Sequence, residues 1–247
     1  MLALVKASPF HLRFVQVALR SLLPEGGAGL LDPSLFEPKT RRGPPSGHAQ
    51  VYLGTESFCD AELARLGKGY GAAEVETVAR ALSAAGLRQA HHFIASNVRT
   101  RPADALESLA RIVRLRAQCG PAFGVLQPAI AHLKSFPGTP SWRALERDGL
   151  LGRVRLRGAL CLEGHPEFDY PLVDRDEPAD PDVAAWAEDL AAKGGGVDWE
   201  GEFDGLLFSW LLRAERLTAA GAEPERAARL RAAVDAHAGA ARAGAAP

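Results

Sequence analysis

Between residues 48 and 149 the spacing of apolar positions changes three times in the same way. A short apolar or alternating run gives way to a longer stretch whose apolar residues return every three or four positions. The pairs are AQVYLGTES with AAEVETVARALSAAG, RQAHHFIASN with PADALESLARIVRLRAQC, and PAFGVLQPAIAHL with TPSWRALERDG. Strand periodicity followed by helix periodicity at these lengths predicts parallel strands joined by covering helices, an α/β fold.

Alternation within the first run assigns the faces. Val51, Leu53 and Thr55 turn to the helices, so Gln50, Tyr52, Gly54 and Glu56 share the other side. Ligands of parallel sheets gather at the carboxyl ends of strands, where Glu56 and Ser57 fall. Two readings stay open: these residues meet a polar ligand, or Glu56 caps the next helical turn. A helix over 72–85 follows, with Val75, Val78 and Leu82 facing the sheet and Gly86 placed to end it. In the strand over 88–95, His91 and His92 are adjacent and so point to opposite faces. They make a poor metal pair; one faces the ligand side and the other packs or is solvated.

Pro102 suits the first turn of the next helix, and Asp104 and Glu107 complement its dipole. Arg99 and Arg101 in the loop before it either meet a carboxylate or phosphate or are solvated. The third strand, over 125–130, contains Pro128, which places it at an edge or forces a bulge. Thr139 can cap the last helix of the series, with Pro140 in its first position.

The flanks are less regular. Residues 10–23 carry a helical apolar spacing that ends before Pro24, and 24–47 reads as a proline- and glycine-rich loop with a basic cluster near Lys39, Arg41 and Arg42. Residues 153–157 alternate Arg with Val and Leu as one half-exposed strand, and the acidic, proline-rich stretch after it reads as an extended linker. Helices are predicted over 182–193, 203–220 and 224–241, with the tail from Gly239 fraying and Trp186, Trp199, Phe203, Phe208 and Trp210 forming a small core. The domains that result are 1–47, 48–152 and 153–247.

Composition narrows the class without naming a substrate. With 47% hydrophobic and 24% charged residues, the 247-residue chain is an ordinary globular sequence, and a formal charge of −1 gives no general attraction to nucleic acid or anionic membrane. There is no apolar run long enough to span a bilayer, and the amino-terminal stretch lacks a signal core, which suggests a cytoplasmic protein. The three cysteines, Cys59, Cys119 and Cys161, lie far apart and fit free thiols.

The segment VYLGTES at 51–57, the LGKGY at 66–70, the AGLR at 85–88, the strand and loop ending at Thr100, and the FPGTPSWR beginning at Phe136 form an ordered series. In this order they resemble radical S-adenosylmethionine enzymes, most of all those with an upstream cobalamin-binding domain. The resemblance covers roughly residues 47–151 and implies an incomplete, half parallel β/α barrel of about three strand–helix units, followed by a small helical carboxyl-terminal region. It also implies S-adenosylmethionine contacts from Gly54, Glu56, Ser57, His91, Asn97 and Gln127, a 4Fe-4S cluster in the family, and cobalamin in the branch. The chain departs at 95–100, where ASNVRT stands in place of a glycine-rich loop, and in having no CxxxCxxC to supply three thiolates to a cluster.

Length points the same way. A strand–helix unit takes about 30 residues, so three more would take roughly 90, while fewer than 50 residues precede the strand that begins near Gln50. This strand would have an open edge that residues 1–47 cover or that a longer or split product completes. Two functions are expected from the whole: the carboxyl-terminal part of a radical S-adenosylmethionine enzyme, acting with an unknown small-molecule substrate and with the cluster on another segment or chain, or a non-catalytic module that binds a small molecule or protein.

Overall fold

In the computed structural model, the described residues are 15–23, 51–126, 133–162, 165–192, 210, 212–213 and 224–243, with side chains described outside 159–171, 189–192 and 237–243. Val15–Val17 (β1), Val51–Glu56 (β2), Gln89–Phe93 (β3) and Phe123–Leu126 (β4) form one sheet in the order β1-β2-β3-β4, and each neighbouring pair is parallel. Asp60–Arg65 (α1) and Ala72–Ala84 (α2) lie in the connection from β2 to β3, and Pro102–Cys119 (α3) lies in that from β3 to β4. The α/β alternation expected from the sequence is therefore present, with strand starts moved by one or two residues.

Burial along β2 alternates as the pleat requires: Val51, Leu53 and Thr55 are buried, whereas Tyr52, Gly54 and Glu56 are half-buried. The helices cover the first of these faces. Gln89, in register beside Val51, donates its side-chain amide to the Ala79 carbonyl at 2.8 Å and to the Ser83 hydroxyl at 2.9 Å, both on α2. Gly86, at φ 72°, ends α2 as expected. Its N–H reaches the Ser83 carbonyl and the Leu87 N–H reaches the Leu82 carbonyl, so the last carbonyls are satisfied while Leu87 turns into the core.

One expectation for the amino-terminal flank is corrected. The helix predicted over 10–23 is, within the described residues, strand β1 followed by a 3-10 turn over Leu19–Leu22. Val15 and Val17 are β-branched and meet an available parallel edge, so ladder hydrogen bonds outweigh the helical spacing of their neighbours. β1 pairs Val15 with Val51 and Val17 with Leu53, and thereby covers the β2 edge that the barrel reading left open. β4 ends the strand order, consistent with an edge; Pro128 lies outside the described residues.

The chain divides into two compact units, the first comprising Met1–Phe93, Leu106–Gln127 and Asp198–Pro247, the second Ile94–Ala105 and Pro128–Val197. In the second, Pro140–Arg147 (α4) precedes an antiparallel hairpin of Val154–Leu162 (β5) and His165–Asp176 (β6), followed by Pro181–Ala192 (α5). Thr139 caps α4 through the Trp142 N–H, and Pro140 occupies its first turn, as read from the sequence.

The stretch taken for a linker is strand β6, a further correction. Pairing with β5 satisfies its backbone, and the register shifts three times along the ladder, which lets a strand containing Pro166 and Pro171 remain paired. Val98, Leu145, Val154 and Val173 form a core here. Pro224–Ala243 (α6) continues past Gly239, so the predicted fraying does not begin there. Of the aromatic group expected near the carboxyl terminus, Trp186 and Trp210 are buried; Trp199, Phe203 and Phe208 lie outside the described residues.

Candidate functional site at the end of a parallel strand

Strand β2 ends on an irregularity. Its register against β3 shifts between Leu53 and Glu56, and Glu56 has φ 68°, the one positive value at a non-glycine among the described residues. For an L-residue this left-handed conformation costs roughly 1–2 kcal/mol because Cβ crowds the backbone. Such strain persists where surrounding contacts fix it.

Those contacts come from the turn between α1 and α2. Gly67, at φ 66°, ends α1 with the Lys68 N–H bonded to the Leu63 carbonyl at 3.1 Å, which turns the chain back toward the end of β2. Lys68 Nζ then lies 2.7 Å from Glu56 Oε2 and 3.4 Å from the Gly54 carbonyl. The Tyr70 hydroxyl donates to the Gly54 carbonyl at 3.0 Å and lies 3.4 Å from that of Thr55. Burial, aided by the Glu56 carboxylate, pushes the Tyr70 phenol up to about 12, so it remains a donor at neutral pH.

α2 is fastened beside this turn. Asp60 accepts from the Ala72 N–H at 2.7 Å and Glu74 from the Gly71 N–H at 2.6 Å. Together these leave a partly exposed carboxylate and ammonium at the carboxyl end of a parallel strand.

Within the first unit, the residues singled out by the resemblance do not share one face of the sheet. Gly54 and Glu56 meet at the strand end. Ser57 turns inward: its Oγ accepts from the Cys59 N–H at 3.2 Å and shares a hydrogen bond with Ser108 Oγ on α3. That makes Ser57 a turn-forming residue at the entrance to α1.

His91 is also on the helix-covered side, fully buried beside Phe58 and Phe123. Its tautomer follows from its neighbours. Gln89 uses its amide nitrogen on α2, so its Oε1 accepts from His91 Nε2–H at 2.8 Å, and Nδ1 accepts the Thr55 hydroxyl at 2.6 Å. Burial, with a smaller contribution from His92, pulls His91 down to about 3. A neutral imidazole with both nitrogens engaged belongs to the core, and the placement of His91 as a cofactor contact is corrected on that ground. His92, half-buried, is the histidine on the other face.

In the second unit Asn97 is 7% exposed, accepts from the Arg99 N–H through Oδ1 at 2.8 Å, and exchanges bonds with Thr100. It shapes its own loop. Arg99 and Arg101, left open by the sequence, meet carboxylates of this chain: Arg99 pairs with Asp148, and Arg101 binds Asp104 in two-pronged fashion at 3.1 and 3.0 Å. Gln127 lies outside the described residues.

The sequence offers the LGKGY segment at 66–70 without showing that Lys68 and Tyr70 reach the end of β2. The glycines flanking Lys68 were the available sign of a chain reversal at that point.

Among the described residues no three His, Cys, Asp or Glu side chains are grouped to hold a metal ion; Cys59 is buried and Cys119 is half-buried. No helix among them is long and apolar enough to cross a membrane.

No family model and no curated protein matches the chain. Among solved structures it is similar to the cobalamin-dependent S-adenosylmethionine radical enzyme OxsB with aqua-cobalamin bound, at TM-score 0.48 and 15% identity over 90% of this chain. It is likewise similar to the same enzyme with aqua-cobalamin and S-adenosylmethionine bound, at TM-score 0.48 and 14% identity over 82% of this chain. The chain spans about a third of the length of each, 33%.

Proposed function

We propose that this chain is the carboxyl-terminal portion of a radical S-adenosylmethionine enzyme, and that its sheet is half of a β/α barrel whose strand ends receive S-adenosylmethionine and substrate. The observation that carries the reading is Glu56, a partly exposed carboxylate held on a left-handed backbone at the carboxyl end of a parallel strand. A carboxylate in this position suits the α-ammonium of the ligand's amino-acid end, and Gly54 leaves room beside it. When bound, S-adenosylmethionine would supply a radical or a methyl group. The protein's part is to hold the ligand through Glu56, keep the end of β2 fixed through Tyr70, and limit water. Of the contacts that the resemblance implies, Asn97 and Gln127 are further members of this proposal.

The 4Fe-4S cluster does not fit this chain. Its three cysteines lack CxxxCxxC spacing, so the cluster site is assigned to another segment or chain, and cobalamin with it. The same spacing favours a second reading, a binding module without catalysis. Calorimetric titration of the full chain with S-adenosylmethionine tests both. Binding that weakens about tenfold in E56Q is expected, from the loss of one charge-assisted bond; no binding by the wild-type chain would overturn the ligand assignment. Iron–sulfur reconstitution should develop no thiolate-to-iron absorption, and a bound cluster would refute its placement elsewhere.

A further inference from the structure

Lys68 carries the same ammonium group that Glu56 would receive from a ligand. Its Nζ contacts a carboxylate oxygen at 2.7 Å and the Gly54 carbonyl at 3.4 Å, so two acceptors already form a seat for one primary ammonium. Three observations make the occupant exchangeable. The pair is in contact with water, with Lys68 22% and Glu56 30% exposed, and such pairs contribute little net energy. Lysine reaches the seat on a flexible stem and not through a rigid two-pronged fork. The carboxylate is kept at a backbone position with φ 68°, where glycine would be unstrained, so the position favours the side chain over the backbone.

We infer that Lys68 is an internal occupant of an ammonium seat, displaced when a small molecule bearing an α-ammonium binds at the end of β2. The inference rests on the reading of Glu56 as a ligand contact. It makes Lys68 a built-in competitor: ligands with an amino-acid end must release it, and ligands without one leave it in place. Glu56 is then neutralised whether or not ligand is present, and the site never holds a bare carboxylate.

The test uses the full chain as wild type, Lys68→Met and Glu56→Gln. Each is titrated with S-adenosylhomocysteine and with methylthioadenosine, which keeps the nucleoside and thioether and lacks the amino-acid end. Acetylation of Lys68 is followed in parallel by mass spectrometry. K68M should bind S-adenosylhomocysteine about 2-fold more tightly than wild type, the gain expected for removing a partly exposed pair, with methylthioadenosine unchanged. Lys68 should acetylate faster in E56Q, and faster in wild type once S-adenosylhomocysteine is saturating.

Equal or weaker binding by K68M, with wild-type binding intact and dependent on Glu56, overturns the displacement alone. Lys68 acetylation that saturating ligand leaves unchanged does the same. Faster acetylation in E56Q, with no variant binding S-adenosylhomocysteine, means that the ligand assignment itself has failed and the displacement with it. Thermal melts of each variant separate lost binding from lost folding.

Discussion

Two carboxylates in the first compact unit meet cations in opposite ways. Glu76, on α2, is 11% exposed and faces the guanidiniums of Arg114, Arg111 and Arg80 at 2.6, 3.0 and 3.1 Å. Its pairs with Arg111 and Arg114 tie α2 to α3, and Arg111 also holds Glu107, one turn away on α3, at 3.0 Å. Glu56 is 30% exposed, faces one ammonium at 2.7 Å, and stands on a strained backbone. Glu76 has rigid partners on two packed helices and relaxed helical geometry, so it fastens the cover of the sheet. Glu56 has one flexible partner and an unfavourable conformation, and such an arrangement is fitted to exchange partners. The contrast separates a structural carboxylate from a recruitable one without appeal to sequence position.

The largest effect should come from the fastened side. Burial raises the Glu76 carboxyl, but Arg114, Arg80 and Arg111 together hold it below the ordinary carboxylate range. E76A removes the acceptor that Arg114, Arg111 and Arg80 share and leaves Arg111 with Glu107, and a loss of about 3 kcal/mol is expected, at the lower end for breaking a buried pair because Arg80 is half exposed. Urea unfolding measures it, and any ligand binding at the end of β2 should be unaffected in the folded protein. A loss no greater than that of a surface pair would erase the contrast.

Acid should act next, and on the helix-covered side in two stages. His91 is neutral and held near 3 in the fold, against about 6.5 when unfolded. Its contribution is complete above the unfolded value and is lost as pH falls from there toward the folded one, because the unfolded chain takes the proton first. The cost reaches on the order of 2–3 kcal/mol by pH ~4.5. Glu76, with its lowered value, begins to contribute acid sensitivity only below about 4.3. Stability measured against pH should therefore fall in two stages, and H91Q should flatten the first. A profile flat down to pH ~4.5 would show that His91 is not held neutral.

The helix-covered side was largely legible in the sequence and the strand end was only half so. Alternation at 51–56 gave the faces of β2, and Thr139, Pro140, Pro102 and Gly86 marked helix ends, because these are local effects of one residue on its own backbone. His91 was ambiguous because a pleat says that adjacent histidines point apart, not which one points inward. Thr55 and Gln89 decide it, and their bonds depend on the register between β2 and β3. β1 and β6 were hidden for a related reason. Val15–Val17 is too short to show a strand period, and the prolines of β6 mimic a linker until a partner strand supplies its ladder. Nothing local announces that Lys68 reaches Glu56, which takes a helix end at Gly67 and a register shift in β2 together.

Backbone strain gives the third measurement. Glycine at position 56 removes both the side chain and the left-handed penalty, whereas alanine removes only the side chain beyond Cβ. E56G should thus be more stable than E56A by about 1 kcal/mol, despite the usual preference for alanine. The opposite order would mean that position 56 relaxes out of φ 68° once its carboxylate is gone. The strain would then be a product of the Lys68 contact and not a property of the strand end.

The smallest effect is the one the contrast most depends on. If Lys68 were to Glu56 what the arginines are to Glu76, K68M would expose an unpaired carboxylate to a low dielectric and cost as much as the fastened pair. Water reaches both groups of the Glu56 pair, so solvation replaces most of what the ammonium provides, and a change within about 0.5 kcal/mol is expected. Added salt should shrink it further, since screening acts on charges in contact with solvent. Tyr70 and the Gly54 carbonyl remain joined in that variant, so the end of β2 keeps its shape. A loss of several kcal/mol in K68M, insensitive to salt, would place Glu56 among the structural carboxylates and leave no exchangeable seat.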